Sequence, residues 1–130
     1  MATRLGLAPG QLILSLGSGS DSDQELLSDI TQLTGTEILE DSTSEVVDSV
    51  LLWFRDGDGD LVDDLMDAMT YLDSSGQIWV LTPKVGRDGH VEPSDIQSAA
   101  PLAGLSQTQS LSVAKDWNAT RLVARKSSKR

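Results

Sequence analysis

The stretch Leu14 to Asp21, LSLGSGSD, runs an apolar segment into a turn that holds Gly17 and Gly19. A glycine-rich turn between strand and helix lets backbone N–H groups approach an anionic ligand, and the helix N-terminus adds favourable partial charge. The same turn can serve only to connect the two elements. Asp21 points to that second use, because its carboxylate can turn back to cap the helix and occupy the end a phosphate would take.

Other chemistry-bearing residues are spread along the chain. DGDGD places Asp56, Asp58 and Asp60 at the first, third and fifth positions of a calcium-type loop. Leu61 stands where that loop needs glycine, however, and Asp67 replaces its bidentate glutamate. Turn formation and helix capping are the alternative use. His90, the one histidine, has Asp88 and Glu92 nearby, but there is no cysteine nucleophile and no G-x-S-x-G elbow. Lys84 and Arg87 could clamp an anion or pair with neighbouring aspartates. Trp53 and Trp79 lie inside apolar runs and read as core, whereas Trp117 falls in a polar turn and is an aromatic candidate for a binding surface.

The elements that must position these residues alternate. QLILSL reads as a buried strand, and Ser22 to Leu33 carries Leu26, Leu27, Ile30 and Leu33 at helical spacing, with Gly35 just beyond. TEILE is a short strand, and Ser42 can cap a brief helical turn through Val47. SVLLWFR, apolar on both alternations, is a central strand buried on both faces. Asp60 caps a helix whose face is Leu61, Leu65, Met69 and Leu72, widened by Val62 and Met66, and SSG ends it. QIWVLT is a further buried strand, and KVGRDGHVEP a polar loop leading to a helix capped by Ser94 and cut short by Pro101. TQSLSVA and TRLVAR form a hairpin around KDWN. The fold class is therefore α/β: a mostly parallel sheet with flanking helices and a C-terminal antiparallel hairpin.

The 130 residues suit a single domain over 1–125, followed by a disordered basic tail over 126–130. A hydrophobic content of 38% predicts a soluble globular chain, and no apolar run reaches the length of a membrane span. No cysteine and no secretion signal point to a cytoplasmic location. Residues 21–73 hold sixteen Asp or Glu against Arg55 alone, within a net charge of −10. That half would repel nucleic acid; it serves solubility or offers an acidic face to a basic protein.

In this order, LGLAPGQLILSLGSGSD is similar to the opening of class I, Rossmann-like methyltransferases, and SVLLWFR stands where their fourth strand would. DAMTYLDSSGQIWVLTPK resembles their helix, glycine-containing turn and fifth strand, and the hairpin resembles strands six and seven. More narrowly, VVDSVLLWFRDGDGDLVD, IWVLTPKVGRDGHVEPSDI and AGLSQTQSLSVAKDWNATRLVA resemble an actinobacterial family of domains of unknown function, numbered three thousand and fifty-two, a reduced relative of those enzymes without assigned activity.

The resemblance implies that Gly17, Gly19 and Glu40 occupy cofactor-binding positions, here vestigial. Three departures explain why. Ser15 replaces an acid, Asp21 replaces a third glycine, and the eight residues between Glu40 and Ser49 leave no room for the third strand that would help enclose an adenine. A carboxylate at Asp21 within about 5 Å of the S-adenosylmethionine carboxylate would cost roughly 3 kcal/mol, about a hundredfold in affinity. No cofactor and no metal are expected.

Ligands of open α/β sheets lie beyond the carboxyl ends of the strands. That edge should gather Asp21, Arg55, Asp58, Lys84, Arg87, His90 and Trp117 as a partner-binding set. The expected function is a non-catalytic binding or regulatory module for a protein partner. The competing expectation is an enzyme or sensor that binds S-adenosylmethionine or a nucleotide.

Overall fold

The two-sided apolar runs take the centre of a single sheet. In the computed structural model, which describes residues 5–17, 19–20, 22–40 and 45–124, the strands are β1 (Ile13–Leu16), β2 (Leu39–Glu40), β3 (Val47–Trp53), β4 (Leu72–Pro83), β5 (Leu105–Ser112) and β6 (Trp117–Ala124). Their order across the sheet is β2-β1-β3-β4-β6-β5. β1 pairs parallel with β2 and β3, and β3 pairs parallel with β4. β6 runs antiparallel to both β4 and β5, closing the sheet with the expected hairpin. Among the described residues no strand lies outside β2, so the sheet ends there.

Successive strand residues point to opposite faces, which explains why β3 is apolar on both alternations over Val50–Trp53 and β4 over Ile78–Leu81. Leu51, Trp53, Trp79 and Leu81 face α1 (Gln24–Thr34), whereas Val50, Leu52, Ile78 and Val80 face α2 (Leu61–Met69) and α3 (Pro93–Leu102). The N-terminal segment joins the α1 layer: Leu5 and Leu7 are buried, and the Leu5 carbonyl accepts from Trp79 Nε1 at 3.1 Å and Gln77 Nε2 at 3.3 Å.

Helix ends follow local chemistry. Asp23 caps α1 by accepting from the Leu26 amide at 2.8 Å, and Gly35 closes it at φ 73°, a left-handed conformation that suits glycine. Asp60 caps α2 through the Val62 amide at 2.8 Å, as its sequence position implies.

Several expectations are corrected. Ser74, Ser75 and Gly76 do not end α2; they lie in β4, where the pairing with β3 shifts between Val47 and Ser49. A side chain at Gly76 would meet the Asp48 carbonyl at 2.7 Å, so that glycine permits the irregular stretch. Val47 opens β3 instead of ending a helical turn, and residues 41–44 lie outside the described residues. Met66 does not widen the buried face of α2: it is 53% exposed, whereas Leu61, Leu65 and Ala68 are buried and Val62 and Met69 pack partly against the same core. Ser94 does not cap α3; Pro93 occupies its first turn, after Glu92, whose side chain makes no capping bond. Pro101 sits inside the last turn, and the helix continues to Leu102. No described helix is long and apolar enough to cross a membrane.

Candidate functional site

The loops after β1, β3 and β4 emerge at the carboxyl edge, where parallel strands bring them side by side. Backbone bonds tie them together: Asp56 N–H donates to the Gly89 carbonyl at 2.8 Å, and Lys84 N–H to the Asp116 carbonyl at 2.9 Å. The chain leaves β1 for β2 on one side and enters β3 on the other. The crevice at this reversal lies between β1 and β3.

A circuit of side chains spans that crevice. Trp53 Nε1–H donates to the buried Ser15 hydroxyl at 3.0 Å. The Trp53 ring meets Trp117 edge to face, with centroids 4.8 Å apart and planes at 89°. The Arg55 guanidinium lies over Trp117, 5.3 Å from its centroid, and its Nη1 donates to the Gly17 carbonyl at 3.0 Å and to Asp58 Oδ2 at 3.2 Å. The circuit begins at Ser15 in β1 and closes at Gly17, just beyond the end of that strand. Charge-assisted and aromatic contacts of this kind are worth more when partly shielded, and the Arg55 side chain is only 18% exposed.

The glycines have internal reasons. Gly17 has φ 78°, and a Cβ there would lie 2.7 Å from the Trp53 carbonyl oxygen. Close approach of β1 to β3 therefore demands glycine at that position without reference to a ligand. The Gly19 amide, which a phosphate-cradling turn would aim outward, donates to Ser22 Oγ at 2.8 Å, while Ser22 N–H returns a bond to the Gly19 carbonyl at 3.0 Å. Asp21 lies outside the described residues, and the cap of α1 falls to Asp23.

Two hollows flank β1. One, about 620 Å³, has Leu16 and Leu52 on its wall and Asp58, Asp64, Asp67 and Tyr71 around it. Partial burial, and then the neighbouring Asp67, Asp58, Asp63 and Asp60, push the Asp64 carboxyl above its ordinary range. The other hollow, about 540 Å³, lies between α1 and β2 and is lined by Ser15, Gly19, Gln24, Glu37 and Glu40. Glu40 is thus next to Gly19 and Ser15, and the three positions that the resemblance singles out share this hollow or, for Gly17, border the first.

The partner-binding candidates divide. Trp117 is corrected outright: it is 2% exposed and opens β6 opposite Pro83, so it belongs to the core and cannot anchor a contact from outside. Arg55 is turned inward to Trp117 and Gly17. Asp58 accepts from the Arg55 amide at 2.9 Å as well as from its guanidinium, which makes the DGDGD segment a turn and cap. Among the described residues no three His, Cys, Asp or Glu side chains are grouped as metal ligands would be. Arg87 pairs with Asp116 at 2.8 Å, both about half exposed, a contact worth little to stability. Lys84 is partly buried beside Val85, which is 81% exposed.

His90 acts as a loop clamp. Its Nδ1 lies 2.9 Å from the Pro83 carbonyl and its Nε2 lies 2.8 Å from Glu92 Oε2. Two acceptors favour two N–H groups, so the Pro83 carbonyl first and Glu92 second raise the ring above its ordinary pKa. When the ring is protonated, both of its N–H groups are engaged in this clamp.

Sequence reasoning missed the Ser15–Trp53 bond and the inward turn of Arg55. Ser15 and Trp53 are 38 positions apart, and no local pattern joins them.

Residues 2–126 match the model of a family described as "Protein of unknown function (DUF3052)". Uncharacterized proteins of Mycobacterium bovis and Mycobacterium tuberculosis are 50% identical over 97% of this chain and 79% of their own length. Among solved structures, a TehB-like SAM-dependent methyltransferase from Corynebacterium glutamicum aligns with TM-score 0.58 and 13% identity, over 95% of this chain and 85% of that one. An O-methyltransferase from neocarzinostatin biosynthesis, solved in complex with S-adenosylmethionine, aligns with TM-score 0.68 and 13% identity, over 89% of this chain and 49% of that one. At such identity the likeness concerns the fold alone, which is methyltransferase-like.

Proposed function

The chain belongs to the DUF3052 family of unknown function, and from that premise we propose that it is a non-catalytic binding or regulatory module contacting a protein partner through the carboxyl edge of its sheet. The circuit from Ser15 through Trp53, Trp117 and Arg55 to Gly17 carries this reading. Groups that a cofactor would need at the crevice are already engaged: the Ser15 hydroxyl by Trp53, the Gly17 carbonyl by Arg55 and the Gly19 amide by Ser22. The 84–90 loop instead turns Val85 and Arg87 outward, beside Lys84 and Asp88, and the His90 clamp supports it from below.

The alternative, a protein that binds S-adenosylmethionine or a nucleotide as enzyme or sensor, draws on the hollow that Gly19 and Glu40 share and on fold neighbours of that activity. Thermal melts with millimolar S-adenosylmethionine, S-adenosylhomocysteine and adenine nucleotides separate the two. A ligand present at a hundred times its Kd adds about 2.7 kcal/mol of stability. The binding-module reading expects no saturable shift from any of them. It also expects Val85→Asp combined with Arg87→Glu to abolish capture of a partner that wild type retains from cell extract. A saturable shift with S-adenosylmethionine, or equal recovery of every partner by both forms, overturns it.

A further inference from the structure

We propose that the groove between α2 and α3, at the same carboxyl edge, receives a basic amphipathic helix of the protein partner. This rests on the binding-module reading above and specifies the partner's chemistry. The groove measures about 510 Å³. Phe54, Leu61, Val91 and Ala99 line it as buried apolar side chains, while Val62 is half-buried and Leu102 is 74% exposed. On the α3 side Asp95, Ser98, Ala99 and Leu102 follow one another at one, four, five and eight, a single helical face. That face extends about 10 Å, two turns, the length over which a docked helix places anchors at i, i+3 or i+4, and i+7. Ser98 and Ala99 are small, which permits close approach.

Charge selects the sign of the occupant. Asp56, Asp60 and Asp95 line the groove, and no Lys, Arg or His does. The N-termini of α2 and α3 each contribute about half a positive charge there, so three carboxylates leave a net of roughly −2. The chain's net charge of −10 steers in the same direction. An acidic or neutral apolar helix would gain the floor but not the rim.

The test is an anisotropy titration of the full chain with a labelled Leu/Lys amphipathic peptide of about 14 residues, beside the same peptide with Glu in place of Lys. Saturable binding of the Lys peptide alone is expected, weakening as salt rises from about 0.05 to 0.3 M. Leu102→Asp should weaken it at least about tenfold, and Asp56→Lys with Asp95→Lys by a similar factor. Glu25→Lys with Glu37→Lys, which makes the same change in net charge on the α1 side, should change it less than about threefold. Ser98→Trp should block it by filling the groove. All six altered positions are exposed, so circular dichroism should remain that of wild type, and the Lys changes at the first-turn acids Asp95 and Glu25 should each cost no more than about 1 kcal/mol of stability. No saturable binding, indifference to Leu102→Asp, or equal weakening by the two charge-reversal pairs overturns the proposal. If a captured partner is lost with Val85→Asp and Arg87→Glu but kept with Leu102→Asp, the groove fails and the edge reading stands. If neither change affects capture, both fail.

Discussion

Replacing Ser15 with alanine would strand the indole N–H of Trp53. Both residues are 1% exposed, and the hydroxyl accepts that N–H at 3.0 Å, so water has no open path to substitute for it. A buried donor left without its acceptor costs about 1–3 kcal/mol, a large share of a domain stability of about 5–15 kcal/mol. For a chain of this size a loss of about 2 kcal/mol lowers Tm by roughly 6–10 °C. Trp53→Phe removes the donor and some ring volume, and it weakens the edge-to-face contact with Trp117, at a cost of about 2–4 kcal/mol. In the double variant the stranded-donor penalty disappears. The two changes should therefore combine with a coupling of about 1–2 kcal/mol, the double variant being less damaged than the sum. Urea denaturation followed by circular dichroism, with unchanged m-values, measures the cycle. Strict additivity, or a Ser15→Ala variant within about 0.5 kcal/mol of wild type, would refute the claim that this hydroxyl is committed to the core. The Ser15 hydroxyl would then be available to a ligand at the crevice.

Gly17→Ala should destabilise by more than about 2 kcal/mol, since it combines a left-handed φ with an overlap at 2.7 Å; Gly35→Ala, at φ 73° with nothing within 4 Å, should cost only about 1 kcal/mol. Equal losses in denaturant melts would remove the close-approach explanation. Arg55→Lys should lose about 1–2 kcal/mol, because an ammonium cannot cover Trp117 and bridge Gly17 to Asp58 at once; a variant as stable as wild type would break the circuit. The raised pKa of His90 has a defined sign: its stabilisation is complete below the unfolded value of 6.5 and disappears as pH rises through the higher folded value. NMR titration should place the ring above 6.5, and His90→Asn should flatten the stability profile in that window. Asp64 acts in the same direction, since a carboxyl raised on folding is a burden once ionised; Asp64→Asn should raise the neutral-pH midpoint, with a gain that shrinks in salt and vanishes where wild type is itself protonated.

Sequence alone determined the alternation of strands and helices, the parallel sheet and its terminal hairpin. Those features are written in neighbouring residues: two-sided apolar runs at Val50–Trp53 and Ile78–Leu81, and the end signals Asp60 and Gly35. The family resemblance was legible too, because it resides in contiguous stretches. Tertiary structure alone decided which polar groups were already taken. Trp117 looked like a turn residue because its neighbours are polar, yet the pairing of β6 with β4 carries it beneath Arg55. Ser74 and Ser75 read as a helix stop, but β4 runs through them as the irregular stretch between Leu72 and Gln77, the positions that pair with β3. Ser15 and Trp53, or Arg55 and Gly17, meet because strand order and register place the ends of β1 and β3 side by side. Local propensity acts over a few residues along the chain, whereas a contact across 38 positions depends on how whole elements pack, and the chemistry of this edge is made of such contacts.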